Sequence, residues 1–336
     1  MFSLKQKFKS KPLLWYALSI AATWAGVGSL MVGIELAQDY GIIPFLLWAF
    51  GNTIACMVFG IFAPLIPKIR EIYRTRAMKI ITGIVCLFQV WVMMNGIQSA
   101  IADTSLGSIA GTVTAYAFAI FFIFLLFKNG IIRNVLTDGI GWIGVYAVAT
   151  VLCAVALLFG GETGTLPLGS EYTMLGLEKC IILIPGPFLY PYFFELLDYN
   201  DDNPDNTEKV NIRTAFIVGG VMFGAYLLFT YFLSLASLTP WMNIVKAILI
   251  TLVGVSTLSS FLYSVYLTFG RKIGLALNII TVGGWYWAIP LGVMNAWTLM
   301  ASVRIYIVIG SVIAAFIWHA VEKKKGRSLG KEVRNR

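Results

Sequence analysis

Two short stretches of the chain combine glycine or proline with apolar residues in a way that would free backbone oxygens for binding. The first stretch, 19–29, contains Gly26 and Gly28 beside small residues. The second, 184–191, reads Ile-Pro-Gly-Pro-Phe-Leu-Tyr-Pro. Glycine weakens a helix, and each proline removes a backbone hydrogen bond and clashes with the preceding turn. Both stretches therefore predict unwound backbone whose carbonyl groups can bind an ion or a polar solute.

The composition places both stretches inside a membrane. Hydrophobic residues make up 59% of the 336 residues and charged residues only 12%, whereas soluble domains carry about 25% charged residues. This composition excludes a soluble globular protein, a disordered chain and a coiled coil. Unwound backbone at bilayer depth is tolerated only where protein or a water-filled cavity surrounds it. The alternative is that glycine and proline merely kink packed helices.

Hydropathy predicts an all-α polytopic membrane protein with ten transmembrane spans. Spans 1 to 10 are expected at 12–39, 41–66, 78–100, 108–128, 138–160, 177–198, 213–237, 241–269, 273–295 and 299–320. We divide the chain into a basic N-terminus (1–11), a first five-span repeat (12–160), a loop (161–176), a second five-span repeat (177–320) and a basic tail (321–336). No cleavable signal peptide is expected ahead of span 1, because the apolar run is too long.

The basic residues agree with this division because nearly all of them fall on one side of it. This side, called the basic side below, holds 22 of the 25 Lys and Arg residues: Lys5, Lys7, Lys9, Lys11, Lys68, Arg70, Arg74, Arg76, Lys79, Lys128, Arg133, Lys209, Arg213, Arg271, Lys272, Lys323, Lys324, Lys325, Arg327, Lys331, Arg334 and Arg336. By the positive-inside rule, both termini are predicted to be cytoplasmic, in a plasma (inner) membrane. The net charge of +9 then reflects topology, and we expect a lipid bilayer and no nucleic acid as partner.

The four cysteines lie inside or at the edges of spans, without the spacing of a metal or redox motif: Cys56, Cys86, Cys153 and Cys180. They predict small buried apolar residues, no disulfide and no metal site.

The acidic stretch Asp198–Asn206 on the basic side suggests an enzyme as one alternative. Intramembrane prenyltransferases bind magnesium diphosphate with two Asp-rich motifs, in chains of similar length. A second motif is missing here, and a solvated turn before span 7 is the simpler interpretation. No protease or hydrolase motif is present, so we do not predict an enzyme. The enzyme alternative would require loss of activity when Asp201 and Asp202 are substituted.

The two interruptions fall in the first span of each five-span half. Because five is odd, the second half has the opposite topology to the first. This pattern is typical of inverted-repeat secondary transporters, in which the unwound backbone of spans 1 and 6 forms a site at the middle of the membrane. We therefore predict a secondary active transporter that moves a small solute by alternating access. A receptor or partner-binding protein that keeps the same fold is a second alternative.

Three stretches resemble the sodium:solute symporter family, within the amino acid-polyamine-cation superfamily that shares the LeuT-type fold. They are Ala21–Gly33 with Tyr40-Gly41, Asn129–Trp142, and Val253–Ser260. In the second stretch, Leu136 and Gly141 replace the Trp and Gln of the family motif. The resemblance implies a minimal ten-helix member with a 5+5 inverted repeat and discontinuous helices 1 and 6.

The resemblance also implies a sodium site between spans 1 and 8. Sodium is a hard cation that binds oxygen ligands. The implied ligands are the carbonyl groups of Thr23, Gly26 and Val253 and the hydroxyl groups of Ser256 and Thr257. Protons, or no coupling ion, are alternatives, and so are hydroxyl groups that only bond back to their own helix. No organic cofactor is expected.

The solute would lie between the two interruptions, against spans 1, 3 and 6. The candidate binding residues are Trp24, Ala25, Gly28, Gln89, Asn95, Gly186, Phe188 and Tyr190. Gln89 and Asn95 are six positions apart, so one of them is expected to bond a neighbouring helix instead. Aromatic residues in such spans also pack against other helices or face lipid.

Charged residues inside spans are rare and usually functional. In the LeuT-type fold, spans 1 and 10 meet at the outer gate, so we expect an ion pair between Glu35 and Arg304 to close the outward path. The alternative is that Arg304 reaches the lipid headgroups. The sequence does not predict an oligomeric state.

Overall fold

The computed structural model describes residues 11–127, 130–162, 165–202 and 209–291, and then 303, 305–311, 313–314, 317–318 and 321. Within these ranges, eight helical segments are long and apolar enough to cross a membrane, and the two halves of span 1 make a ninth. The protein is therefore an all-α, multi-pass membrane protein. The described residues of predicted span 10 include 305–311, which are helical.

The first five spans follow the predicted order. Span 1 is broken into span 1a, Pro12–Ala25, and span 1b, Gly28–Glu35, which continues as a π-helical turn, Leu36–Tyr40. Its two halves are bent by 58°. Spans 2, 3, 4 and 5 are Ile42–Leu65, Arg76–Ala102, Gly107–Phe127 and Ile131–Phe159, and a short linker helix between spans 2 and 3 covers Pro67–Arg74.

The second half begins with another broken helix. After a 3-10 turn, Ser170–Tyr172, span 6a covers Thr173–Leu183, a 3-10 segment covers Gly186–Leu189, and span 6b covers Pro191–Asp202. Spans 7, 8 and 9 are Ile212–Ser234, Pro240–Phe269 and Arg271–Gly284, followed by a 3-10 segment, Trp285–Leu291. Strand β1, Gly161–Glu162, pairs antiparallel with β2, Ala236–Ser237.

Local sequence signals explain several helix starts. Pro12, Pro67 and Pro240 occupy the first turns of their helices, where the missing N–H costs nothing. Asn211 caps span 7 by accepting a hydrogen bond from the Thr214 backbone at 3.2 Å. The start of span 5 was predicted wrongly: the helix begins at Ile131 rather than at 138. Asp138 therefore lies two turns inside a helix instead of at its end.

The helices of the two halves pack in corresponding pairs. Span 1a packs against span 7, and span 6a packs against span 2. Span 3 packs against span 4, as span 8 does against span 9. Spans 3 and 8 pack against each other along the centre of the bundle.

Candidate functional site

The break in span 1 is fastened to span 8 by one threonine. Gly26 has φ +56° and ψ 162°, a conformation that essentially only glycine adopts. Its backbone N–H donates to Oγ1 of Thr257 at 3.0 Å. Thr257 Oγ1 also lies 2.8 Å from the carbonyl oxygen of Ala22 and 3.1 Å from that of Val253. The Thr257 hydroxyl therefore joins the unwound end of span 1a to the middle of span 8.

The break in span 6 lies directly against the break in span 1. A Cβ atom on Gly186 would come within 2.5 Å of the Trp24 ring, so only glycine allows this close approach. The ring centroids of Trp24 and Tyr190 are 5.7 Å apart, and Tyr190 in turn meets Phe261 of span 8 edge-on at 5.0 Å. The two unwound segments thus face each other at the centre of the bundle.

A cavity of about 40 Å³ lies between the two breaks. Five predicted solute-binding residues line it: Trp24, Ala25, Gly28, Gln89 and Tyr190. Other lining residues, which the sequence did not single out for solute binding, are Gly26, Ser29, Trp48, Asn52, Met93, Leu183, Thr257 and Phe261. Span 2 contributes Trp48 and Asn52 because its inner face packs against span 6a.

Three predicted solute-binding residues are not among the residues that line this cavity. The side chain of Asn95 donates to the Ala288 carbonyl at 3.0 Å and accepts from Trp285 Nε1 at 2.6 Å, so it fixes the segment after span 9. Phe188 meets Phe59 of span 2 edge-on at 5.1 Å. Gly186 packs beneath the Trp24 ring and supports the cavity wall instead of lining it.

On span 1, the carbonyl oxygen bonded to Thr257 belongs to Ala22, which is not one of the predicted sodium ligands. The Ala22 carbonyl lies next to the Thr257 hydroxyl, whereas the side chain of Thr23 bonds Ser260 Oγ at 2.9 Å. The Gly26 carbonyl accepts from the backbone and hydroxyl of Ser29. Of the carbonyl groups on span 1, that of Ala22 is the one with a hydrogen bond from Thr257 among the described residues.

The span 8 side of this arrangement agrees with the expected donor set. The Val253 carbonyl faces Thr257 Oγ1, and Ser256 Oγ is buried without a hydrogen-bond partner among the described protein atoms. Carbonyl and hydroxyl oxygens are what a sodium ion binds, so Ala22, Val253, Ser256 and Thr257 are suitable ligands.

A buried carboxylate beside this arrangement was missed at the sequence level. Asp138 is fully buried and accepts hydrogen bonds from Ser19 and Ser259 at 2.9 Å, from Asn134 at 3.0 Å and from Ser260 at 3.1 Å. None of these partners carries a positive charge. Since Ser260 also bonds Thr23, the hydroxyl group of Ser260 lies between Asp138 and the last turn of span 1a. A buried carboxylate without a cationic partner is suited to bind a proton or a metal cation.

On the basic side, ion pairs join the linker helix to span 6b. Arg70 pairs with Asp198 and, at 2.8 Å, with Asp201, and Arg74 pairs with Asp198 at 2.8 Å. Burial lowers the pKa of Arg70, but its hydrogen bonds to the two aspartates outweigh this effect and raise the pKa overall. Asp198 and Asp201 of the acidic stretch are thus bound by arginine; 203–206 lie outside the described residues.

A second cavity, of about 270 Å³, opens beside these ion pairs. Arg70, Tyr73 and Asp198 line it together with Thr82 of span 3 and Pro191, the first residue of span 6b. The cavity therefore extends from the basic side towards the break in span 6, and the ion pairs lie along its wall.

The predicted outer gate is only partly described. Glu35 is exposed at the end of span 1b and lies close enough to Lys179 of span 6a for a Coulomb interaction. Its predicted partner, Arg304, lies outside the described residues. Among the described residues, the positive charge near Glu35 therefore comes from Lys179 of the other broken helix.

Neither a scan against protein-family models nor a search of curated proteins finds a match to this chain. The fold and the site define its class: a multi-pass, all-α membrane protein in which two broken helices enclose a central cavity.

Proposed function

We propose that the protein is a secondary active transporter that moves a small solute by alternating access, driven by a sodium gradient. One observation carries the proposal: both broken helices contribute lining residues to a single central cavity. Unwound backbone at membrane depth is costly unless it lines a site. Discontinuous helices around a central site are the usual binding arrangement of inverted-repeat transporters.

The helix packing supports a 5+5 inverted repeat of the LeuT type. Exchange of the two halves would turn the contact between spans 1 and 7 into that between spans 6 and 2. It would also turn the contact between spans 3 and 4 into that between spans 8 and 9, and all four contacts are present. Together with the three sequence stretches, this favours membership of the sodium:solute symporter family as a minimal ten-helix protein. Rocking of one repeat against the other would then expose the cavity to each side in turn.

The coupling ion in this proposal lies between the span 1 break and span 8. Ala22, Val253, Ser256 and Thr257 would supply oxygen ligands. Asp138, which accepts a hydrogen bond from Ser260, one helical turn after Thr257 on span 8, would supply the negative charge that neutral oxygens lack. Because Thr257 also holds the Gly26 backbone, an ion bound there would change the geometry of the break that borders the solute cavity.

Sodium binding tests this assignment directly. Replacement of Thr257 by alanine is expected to weaken the binding of radioactive sodium to the purified protein at least about tenfold, since one ligand and one support of the break are lost. Thr257→Ser, which keeps the hydroxyl group, should restore most of the affinity. Equilibrium dialysis in detergent measures both.

Ser264 offers a matched control on the same helix. Its hydroxyl bonds the Ser260 carbonyl at 2.8 Å, within span 8, so Ser264→Ala should leave sodium affinity unchanged. Sodium affinity that is the same in Thr257→Ala and the wild type would place the ion elsewhere. Absence of sodium binding to the wild type would remove sodium coupling from the proposal.

The basic side would be cytoplasmic, in a plasma membrane, and the Arg70 ion pairs would restrict the path from the central cavity to that side. Substitution of Arg70 by alanine is expected to widen the 270 Å³ cavity, because span 6b loses two carboxylate contacts to the linker helix. A Thr82→Cys reporter, buried in the wall of that cavity, should then react several-fold faster with a charged maleimide.

Lys68→Ala is the control for this experiment, because Lys68 forms an ion pair with Glu71 at 2.7 Å within the linker helix itself. The labelling rate of the reporter should not change in this variant. Equal rates in Arg70→Ala and the unsubstituted reporter would show that the ion pairs do not restrict access to the 270 Å³ cavity.

Transport itself is tested in liposomes. Radioactive sodium uptake by the reconstituted protein should accelerate when a mixture of small metabolites is added outside, and Thr257→Ala should abolish the acceleration. A protein that binds solutes but shows no such coupled flux would instead be a receptor on a transporter fold. Magnesium-dependent prenyl transfer that is lost on Asp201 substitution would favour the enzyme alternative.

A further inference from the structure

Two side chains of the central cavity carry N–H groups that have no partner among the described protein atoms. They are Trp48 Nε1 of span 2 and Gln89 Nε2 of span 3, and each side chain belongs to a residue that is only 2% exposed. Buried polar groups are almost always hydrogen-bonded. Unpaired donors that line a cavity therefore indicate where the acceptor atom of a ligand would lie.

The neighbouring polar groups are already occupied by the protein. Trp24 Nε1 donates to the Asn52 carbonyl at 3.0 Å, and the Asn52 amide donates to the Trp48 carbonyl at 3.1 Å. Ser29 Oγ donates to the Gly26 carbonyl at 2.7 Å. These bonds join span 1a to span 2 and span 1b to the break, and they leave Trp48 Nε1 and Gln89 Nε2 as unpaired N–H donors among the described side chains that line the cavity.

The cavity offers no partner for a charged ligand. None of the described residues that line it is Asp, Glu, Lys, Arg or His. Backbone N–H groups at the start of a helix can bind an anion, but two of them near the start of span 1b are already occupied. The N–H of Gly26 donates to Thr257, and the N–H of Ser29 donates to the Gly26 carbonyl. Burial of a charge without an opposite charge is strongly unfavourable, so an uncharged ligand fits better than a carboxylate or an ammonium ion.

The size and the remaining walls restrict the ligand further. One water molecule needs about 10–15 Å³ of cavity volume. The central cavity has a volume of about 40 Å³, so it has room for only a few heavy atoms. Trp24, Tyr190, Phe261 and Met93 supply a mostly aromatic, apolar wall.

We infer that the transported solute is a compact, uncharged molecule whose hydrogen-bond acceptor, such as a carbonyl oxygen, receives the N–H groups of Trp48 and Gln89. This inference rests on the proposed transport function and names the chemical class of its solute. The apolar part of the solute lies against the aromatic wall formed by Trp24, Tyr190 and Phe261.

Three planar probes of equal heavy-atom number test the charge and the acceptor together: acetamide is neutral, acetate is anionic and acetamidinium is cationic. Binding of each radiolabelled probe to the detergent-purified protein is measured by equilibrium dialysis in sodium chloride. Acetamide is expected to bind at least about tenfold more tightly than either ion. Trp48→Phe and Gln89→Met should each weaken acetamide binding about fivefold, as the loss of one hydrogen bond does.

Trp142→Phe is the matched control. Trp142 is equally buried, but it packs against Tyr146 and Tyr226 and is not among the cavity-lining residues. Its substitution should leave acetamide binding unchanged. Gln89→Met provides an independent test if Trp48→Phe fails to fold.

Several results would overturn the inference: tighter or equal binding of a charged probe, acetamide binding that is insensitive to both substitutions, or no binding of any probe. Failure of the transport proposal looks different. Acetamide that binds as expected, while no solute drives sodium flux in liposomes, leaves the solute class intact and removes transport. Sodium-coupled flux of a charged solute would support transport and would contradict the uncharged solute class.

Discussion

Replacement of Asp138 by asparagine is expected to weaken sodium binding about 100-fold, the largest effect of any substitution in the ion region. The carboxylate is fully buried among neutral donors from spans 1, 5 and 8. A unit charge at about 5 Å from a cation contributes about 3 kcal/mol at an effective dielectric constant of about 20, and this energy corresponds to about 100-fold in affinity. Asparagine keeps the size and removes the charge.

Dialysis with radioactive sodium measures this effect, and Asp103→Asn is the control. Asp103 follows span 3 and is exposed, so its substitution should not change sodium affinity. In the wild type, affinity should also fall as the pH falls, because protonation of Asp138 removes the same charge. Wild-type affinity independent of pH, or Asp138→Asn with unchanged affinity, would show that the carboxylate only supports the helix packing.

The sequence located both breaks because their cause is local. Gly26 and Gly28, like Pro185 and Pro187, disrupt helix geometry wherever they occur. Span 1a ends at Ala25, directly before Gly26, and span 6a ends at Leu183, two residues before Pro185. The apolar runs likewise gave the order of the spans, since the thickness of the bilayer sets the length of a spanning helix.

On span 1, the carbonyl group that contacts Thr257 could not be predicted, because the contact is a tertiary one. The backbone turns at Gly26 in a way that presents the Ala22 carbonyl to Thr257, a residue 235 positions away in the chain. Periodicity predicts the faces of a helix, but it does not predict which residue beside a break bonds to a second helix.

Asp138 was missed for a different reason. A charged residue in an apolar sequence resembles the end of a span, and the prediction therefore began span 5 at this residue, whereas the helix begins at Ile131. Its hydrogen-bond partners Ser19 and Ser259 lie 119 and 121 positions away. The one local signal was Asn134, one helical turn earlier, which also bonds the carboxylate.

Side-chain direction within span 3 could not be read from spacing alone. Gln89 and Asn95 were both candidates for the solute site, and the expectation that one of them bonds a neighbouring helix describes Asn95. The rotation of span 3 about its axis decides which of the two side chains faces the cavity. This rotation is set by the packing of span 3 against span 8, and it cannot be predicted from the sequence of span 3 alone. The same holds for Trp48, which reaches the cavity only because span 2 packs against span 6a.

Substitution of Gly26 by alanine is the second change with a large expected effect. The combination of φ +56° and ψ 162° is strained for any residue with a Cβ atom, and such strain costs about 1–3 kcal/mol. The added Cβ would also lie 3.3 Å from Cε of Met93. The backbone should relax by moving the Gly26 N–H away from Thr257 and the Ala22 carbonyl with it. We expect sodium affinity to fall at least about tenfold and the Tm to decrease.

Gly144→Ala distinguishes this effect from a general response to a larger side chain. Gly144 lies within span 5, and a Cβ atom there would meet nothing within 4 Å. Alanine favours a helix over glycine by about 1 kcal/mol, so this variant should keep its sodium affinity and its Tm should rise or stay the same. Gly26→Ala with wild-type sodium affinity would mean that the break is only a kink between packed helices. Reduced Tm and affinity in Gly26→Ala alone would tie the unwound backbone to the ion, because the two variants add the same methyl group to the same kind of residue.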